Sequence, residues 1–347
     1  MRPHATVLAP VLGLVLLAAP AGAAVVTITD CLADPHVVVH APSASTRIDI
    51  GSDDLVLACA LAPLPGTDRI RIVAHDVTVQ GPAGGITAPS DGVAIQVTAS
   101  GRFTAVDTSI ETTANNGSMD IASVGDMRFV SSTIDVGGST SGDDLRITCT
   151  GASPDCKITA INTTFESRLT FITAVGDIAF GTVHLVSHSP RDYIRVTSSH
   201  GNVDTSGEAA GIAACCAGGE PGGGNTVVTG NEGNLAVTAF GFVNLSFTNI
   251  LVAEFITITS GSDPGLAPVP AGVNLSGASV RNDFGKEGDI VIVADESQAT
   301  ITISGAVLVD DNRTGSAEDV SELNGCQVVP RTMAPCVNIV GVPDLDT

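Results

Sequence analysis

The sequence predicts an all-β protein in which about nine short coils, of about 25 residues each, stack into one solenoid. Glycine recurs after short apolar stretches at intervals of 24, 26, 25, 25, 32, 28 and 27 residues. Apolar and polar residues alternate with a period of two on both sides of each glycine, which is typical of half-buried strands. No stretch beyond the N-terminal segment shows the 3.6-residue period of an amphipathic helix. The recurring glycines are Gly101, Gly125, Gly151, Gly176, Gly201, Gly233, Gly261 and Gly288.

The length of the repeat defines the kind of coil. About 25 residues are too few for a helix-containing repeat or a four-stranded propeller blade, but they accommodate three short strands and three turns. One coil alone cannot bury enough apolar surface to offset the conformational entropy of ordering it. Neighbouring coils must supply the missing burial and backbone pairing, as they do in other solenoids.

The recurring glycine is expected at a turn between strands, where it tolerates a positive φ without steric cost. Acidic or amide residues follow it in several coils, among them Asp126, Asp177 and Asn202. Such side chains hydrogen-bond the backbone of turns. We therefore interpret the repeated Gly-Asp pair as a structural turn element and not as a ladder of Ca²⁺ sites.

The chain divides into four segments. Residues 1–24 have the features of a secretory signal peptide, with Arg2, an apolar run and a small-residue cleavage site. Residues 25–66 lack the repeat and are predicted to form an N-terminal cap, because a stack of strands needs its first edge covered. Residues 67–309 form the solenoid, which two insertions at 207–224 and 263–272 interrupt, and residues 310–347 form a C-terminal cap. No later apolar run reaches the roughly 18 residues of a membrane-spanning helix.

Composition excludes some partners. The chain has 37 acidic and 15 basic residues and a net charge of −22. Nucleic acid binding requires basic clusters that displace counterions, and the sequence contains none. Aromatic platforms for sugars are also scarce, since there is one Tyr and no Trp. Most of the ten phenylalanines are predicted to face inward, among them Phe129, Phe171 and Phe247.

Eight cysteines in an exported chain indicate disulfides. Eight cysteines allow 105 pairings, and short separations in sequence favour three of them: Cys31–Cys59, Cys149–Cys156 and Cys326–Cys336. The adjacent Cys215 and Cys216 remain, either paired with each other or available to another chain.

With this coil length and this alternation, residues 70–309 resemble a right-handed parallel β-helix of the pectin-lyase-like superfamily. The resemblance rests on coil length and strand alternation, so it implies a fold and not a reaction. Folds of this kind carry lyases, hydrolases, adhesins and phage spikes, and the activity must be argued from a site.

Polysaccharide-cleaving β-helices act on the outer face of one sheet, so the outward side chains of consecutive coils are of interest. Counting back five or six residues from the recurring glycines gives one row of outward positions. Carboxylates and arginines alternate there over adjacent coils, as they do nowhere else in the chain. The predicted row contains Arg71, Gln96, Asp120, Arg146 and Arg195, and the preceding turn adds Asn116, Asp143, Asp144, Glu166, Arg168, Arg191 and Asp192.

The resemblance implies roles for some of these residues. Similar lyases use carboxylate-held Ca²⁺ to acidify a uronate proton, and an Arg or Lys as the base. By this resemblance Arg146 or Arg195 would be the base. The Ca²⁺ or ligand candidates are Asp120, Asp143, Asp144, Arg168, Arg191 and Asp192. The alternative is a solvated outer strand whose opposite charges pair across coils.

The leading hypothesis is an exported, non-catalytic β-helix that acts in surface or extracellular structure or in adhesion-type binding. The competing hypothesis is a Ca²⁺-dependent polysaccharide lyase that acts on acidic glycans. The expected location is secreted, cell-surface or periplasmic. No cofactor other than Ca²⁺ is implied, and the candidate partners are an extracellular polysaccharide or another surface protein. The sequence leaves the oligomeric state open.

Overall fold

The protein is an all-β solenoid with long parallel sheets, as a parallel β-helix has, and every regular element that the structure describes is a strand. No helix in this part of the chain is long and apolar enough to cross a membrane. The computed structural model describes residues 23–40, 44–88, 92–113, 117–137, 144–152, 156–187, 193–205, 226–228, 233–252, 255–261, 272–282, 290–294, 300–303 and 306–310, and short strands between 322 and 345.

Sheet 1 contains 14 strands, one from each successive coil plus antiparallel strands at both ends. Its parallel strands are Ser45–Asp49, Arg69–Ala74, Gly92–Ala99, Gly117–Ser123, Asp144–Cys149, Leu169–Ala174, Tyr193–Ser198, Asn234–Ala239, Ile256–Ser260, Ile290–Ala294 and Glu322–Leu323. The antiparallel strands are Val38–His40, Cys326–Val329 and Thr332–Met333.

The other 21 strands form two further columns, which we call sheet 2 and sheet 3. Ile158–Glu166 and Ile178–Val186 run through both columns. The remaining strands of sheet 2 are Val25–Ile28, Asp54–Leu57, Val77–Gln80, Phe103–Val106, Met127–Val130, Val203–Asp204, Phe242–Asn244, Gly272–Asn274, Thr300–Thr302 and Ile339–Val340. Those of sheet 3 are Ala60–Leu61, Gly85–Ala88, Ser109–Thr112, Thr133–Val136, Thr226–Val228, Asn249–Val252, Ser279–Asn282, Val307–Asp310 and Asp344–Leu345.

Parallel pairing begins well before the recurring glycines. Val25–Ile28 pairs with Asp54–Leu57 in sheet 2, and Ser45–Asp49 pairs with Arg69–Ala74 in sheet 1. The segment between residues 25 and 66 thus contributes strands to all three columns. An antiparallel strand, Val38–His40, covers the first edge of sheet 1.

The alternation of apolar residues fills the bore of the solenoid. In Arg69–Ala74, every second side chain is buried and the others face outward. The buried side chains form one continuous hydrophobic cluster that extends from Ile28 to Leu308. Because each coil adds to the same cluster, the burial that one coil lacks is supplied by the next.

Phenylalanines stack along part of this bore. The ring of Phe129 lies 5.4 Å from that of Phe103 and 5.2 Å from that of Phe165, centroid to centroid. The Phe165 ring lies 6.4 Å from that of Phe180. The predicted inward position of Phe129 is confirmed, but the prediction for Phe171 and Phe247 is wrong. Phe171 is half-buried on the outer face of sheet 1, and Phe247 is 69% exposed at a turn.

The turn between sheets 2 and 3 uses the left-handed region of backbone space in coil after coil. Polar residues usually occupy this position, because a short polar side chain tolerates positive φ better than a bulky one. Phe247 is the bulky exception, with a φ of 56°. The other left-handed residues of this turn are Gly81, Asp107, Ser131, Asn162, Thr182 and Gly277.

The recurring glycines lie at a different turn, between sheets 1 and 2, and positive φ does not explain them. Among the described residues, the left-handed glycines are Gly51, Gly66, Gly81 and Gly277, and none belongs to the repeat. The repeat instead needs glycine because successive coils approach closely here. A Cβ added to Gly151 would lie 1.9 Å from the carbonyl oxygen of Val124.

Replacing Gly151 by alanine is therefore expected to lower the free energy of unfolding by about 1–3 kcal/mol, the usual cost of overpacking. Gly181→Ala is the matched control, since the atom nearest to an added Cβ there is 3.9 Å away. Chemical denaturation of the two variants measures the difference. An equal effect of both substitutions would contradict the close-approach explanation.

Two of the predicted disulfides are confirmed. Cys31–Cys59 joins the turn after Val25–Ile28 to the residue that precedes Ala60–Leu61, and its Cα atoms are 5.7 Å apart. Cys149–Cys156 closes a short loop, and its Cα atoms are 5.6 Å apart. Such bonds are typical of an oxidising compartment. The side chains of Cys215, Cys216, Cys326 and Cys336 lie outside the described part of the chain, as do residues 1–22, residues 207–224 and most of residues 263–272.

Candidate functional site

The outward row predicted on sheet 1 exists as one line of side chains across adjacent coils. Asp120 lies directly opposite Arg146, and Phe171 separates Arg146 from Arg195. Toward the N-terminus the row continues through Gln96 to Arg71. We call this line the arginine row, which contains in order Arg47, Arg71, Gln96, Asp120, Arg146, Phe171 and Arg195.

Asp144 lies beside this row and contacts two guanidinium groups. Its carboxylate oxygens are each 3.5 Å from an arginine nitrogen, one on Arg146 and the other on Arg168. Arg168 is largely buried, at 15% exposure, whereas Arg146 is 60% exposed. The Asp144 carboxylate is thus already surrounded by positive charge, and a cation bound there would be repelled by both arginines.

Sequence reasoning missed the aromatic part of this surface. The ring of Phe171 is half-buried, and its centroid lies 6.0 Å from that of Tyr193 in the next coil. The guanidinium carbon of Arg146 lies 5.7 Å from the centre of the Phe171 ring, within the range of a cation–π contact. The same backward count that finds the arginines, applied to Gly176, gives Phe171. Phe171 was left out of the row because it was predicted to face inward.

Burial raises the pKa of Asp120, and the positive charge of Arg146 only partly offsets this effect. The ionised carboxylate therefore carries a desolvation cost in the folded protein. Because the folded-state pKa is raised, Asp120 favours the folded state in its protonated form. This stabilising contribution is present below the ordinary pKa of about 3.9 and is lost as pH rises through the folded-state value.

Asp120→Asn is accordingly expected to raise the free energy of unfolding at neutral pH, by about 0.5 kcal/mol after allowance for partial exposure. The gain should vanish at pH 3, where the aspartic acid is itself protonated. Chemical denaturation of both proteins at the two pH values tests this expectation. A loss of stability at neutral pH would show that the attraction to Arg146 outweighs desolvation.

Carboxylates and amides at the turn between sheets 1 and 2 bond the backbone of the following coil. Asp126 Oδ1 accepts a hydrogen bond from the backbone N–H of Lys157 at 3.0 Å, and Asp177 Oδ1 accepts from that of Asn202 at 3.0 Å. Asn202 Oδ1 accepts in turn from the N–H of Phe242 at 2.7 Å. The structural interpretation of these residues is confirmed, but the bonds join successive coils instead of closing one turn.

The charge on Asp177 is stabilised by this arrangement. Burial raises its pKa, but hydrogen bonds from Asn202 and an ion pair with Lys157 at 3.1 Å outweigh burial and hold the pKa below the ordinary value. The folded-state pKa is lowered, so the stabilising contribution is present above the ordinary pKa and is lost as pH falls through the folded-state value.

One group of possible metal ligands is found within the described residues, at the first of these turns: Asp54, His75 and Asp76. One oxygen of each of the two carboxylates is already engaged. Asp54 Oδ1 contacts His75 Nδ1 at 2.8 Å, and Asp76 Oδ1 accepts from the N–H of Arg102 at 2.6 Å. The bond to Asp54 raises the pKa of His75. This group belongs to the same inter-coil ladder, several coils away from Asp120 and Asp144.

The candidate residues do not converge on one point. Arg146 and Arg195 lie two coils apart along sheet 1, and Glu166 lies on sheet 3. Asp120 lies opposite Arg146, and Asp144 contacts Arg146 and Arg168. Asp143, Arg191 and Asp192 lie outside the described residues.

What the arrangement offers chemically is a row of guanidinium and aromatic groups along one sheet. Comparison of the chain with protein-family models, with curated proteins and with solved structures finds no match in any of the three.

Proposed function

We propose that this protein is an exported, non-catalytic solenoid that acts in extracellular structure or adhesion-type binding. The observation that supports this proposal is the spread of the candidate groups along the arginine row. A lyase needs its base at the carbon that loses the proton and its cation at the carboxylate group attached to that carbon, so both must reach the same sugar unit. Here Phe171 stands between Arg146 and Arg195, and the nearby carboxylate of Asp144 is held by two arginines.

Export is part of the same proposal. The signal-like features of residues 1–24 and the two disulfides support an oxidising, extracellular destination. The mass of the mature protein, recovered from the outside of the producing cell, tests it. Export would be contradicted by a protein that stays inside the cell and has the mass of the full chain, residues 1–24 included.

The test of the non-catalytic role is incubation of the purified protein with a panel of uronate polymers in the presence of Ca²⁺. The ultraviolet absorbance of unsaturated uronate ends follows any elimination. We expect no increase above the buffer control. Turnover that disappears in Arg146→Ala or Arg195→Ala would overturn the proposal in favour of a Ca²⁺-dependent polysaccharide lyase.

A further inference from the structure

A ladder of charged side chains runs along the turn between sheets 1 and 2, at or just before the start of each strand of sheet 2. The register of those strands places its members on six successive coils: Asp54, Asp76, Arg102, Asp126, Lys157 and Asp177. From Asp76 onward acidic and basic residues alternate, so each charge has an opposite neighbour. The first step breaks this order, because Asp54 and Asp76 are both carboxylates.

His75 lies between these two carboxylates. Its Nδ1 atom is 2.8 Å from Asp54 Oδ1 and 3.6 Å from Asp76 Oδ1. No lysine or arginine of the described residues is within ion-pair distance of either carboxylate. Like charges on neighbouring strands are destabilising, and here only a histidine compensates them, which is positive only when protonated.

The three side chains have the spacing of ligands in a tetrahedral metal site. Metal–ligand bonds of about 2.0 Å at the tetrahedral angle place two ligand atoms about 3.3 Å apart. The distances from His75 Nδ1 to the two oxygens, 2.8 and 3.6 Å, lie on either side of this value. One ligand atom of each residue lies within 4.8 Å of the other two. Small side-chain shifts therefore accommodate a metal ion.

The space beside these ligands is open. The next coil has a glycine here, Gly101, and a Cβ added to it would lie 2.1 Å from Asp76 Oδ1 and 3.1 Å from His75 Nε2. The side chains of His75, Asp76 and Asp54 are 46%, 34% and 27% exposed, so water can reach the ion. Three protein ligands and one water position are an arrangement in which histidine and carboxylates hold zinc.

We propose that Asp54, His75 and Asp76 bind one Zn²⁺ or a similar divalent transition-metal ion. A nitrogen ligand and a small ligand set favour such an ion over Ca²⁺, which takes about six to eight oxygen ligands. Coordination through Nδ1 places the ring proton on Nε2, and the metal ion takes the position of the proton that Nδ1 otherwise shares with Asp54. Asp54 and His75 belong to successive coils, so the ion joins two coils near the N-terminal end of the solenoid. The inference goes beyond the proposed function and does not depend on it.

Isothermal titration calorimetry with Zn²⁺, on the exported chain freed of metal by a chelator, tests the site. We expect His75→Gln to bind one Zn²⁺ fewer per chain than the wild type, or to bind that ion at least about 100-fold more weakly. The loss of an outer-sphere partner alone costs about 10–100-fold. Asp76→Asn should weaken binding in the same way, although its amide oxygen can still accept the hydrogen bond from the N–H of Arg102.

His36→Gln is the matched control. His36 Nδ1 also lies 2.8 Å from an aspartate oxygen, that of Asp34, and its side chain is 44% exposed. No second carboxylate of the described residues is within ion-pair distance of His36, so His36→Gln should bind Zn²⁺ like the wild type. Circular dichroism of each variant shows whether the strands are retained.

Co²⁺ gives a readout on the wild-type protein that needs no variant. Bound Co²⁺ should show the visible absorption of a four-coordinate ion, which Zn²⁺ abolishes by displacement and excess Ca²⁺ does not. A wild-type chain without this absorption and without Zn²⁺ binding would contradict the inference. So would an equal loss of Zn²⁺ binding in His36→Gln and His75→Gln, or displacement of Co²⁺ by Ca²⁺. None of these outcomes bears on turnover of uronate polymers, so the proposed function is tested separately.

Discussion

Phe129→Ala is expected to lower the free energy of unfolding by about 3–5 kcal/mol, the largest effect of any single substitution considered. Phe129 is fully buried, and its ring lies between those of Phe103 and Phe165. Its removal leaves a cavity in the bore that both neighbouring coils line. Because a solenoid is stabilised by interfaces between adjacent coils, the loss weakens the stack on both sides.

Chemical denaturation measures this loss, and Phe255→Ala is the matched control. Phe255 is 43% exposed, so its truncation should cost much less. Equal costs for the two phenylalanines would show that the Phe129 ring does not contribute to the bore as described.

Removal of the Cys31–Cys59 disulfide by alanine at both positions is expected to cost about 3.5 kcal/mol. The two cysteines are 28 residues apart in sequence, and cross-linking them restricts the unfolded chain over that length. The same change at Cys149 and Cys156, seven residues apart, should cost about 2.5 kcal/mol, because the shorter loop removes less entropy.

Thermal and chemical denaturation of both double variants give the two values. The order of the two costs is the informative result. A larger cost for Cys149–Cys156 would mean that native contacts of the bonds outweigh loop entropy.

Much of the fold follows from local sequence patterns. The period-two alternation identifies strands such as Arg69–Ala74, and the interval between glycines sets the length of a coil. The reason for the glycines did not follow, because close approach to the next coil is a tertiary property. Gly151 is fixed by the carbonyl of Val124, which no local pattern around Gly151 reveals.

The sequence predicted which residues share the outward row, but not which of their side chains contact each other. Counting back from the glycines places Asp120 and Arg146 at matching positions of adjacent coils. In the structure the two residues are paired directly across neighbouring strands. The two contacts of Asp144 with arginines depend on side-chain conformations, which sequence spacing does not determine.

Distances between pairs of spin labels test the stacked-coil architecture most directly. Ala122, Thr148 and Thr259 belong to one outward row of sheet 1, and Thr98 continues it toward the N-terminus. One label is placed at Thr259, and the second is attached to a non-native side chain introduced at Thr148, Ala122 or Thr98. The backbone separations from Thr259 are expected to be about 19 Å for Thr148, about 24 Å for Ala122 and about 29 Å for Thr98, a rise of about 4.8 Å per coil. Distances that do not increase from Thr148 to Ala122 to Thr98 would contradict a single stack of coils.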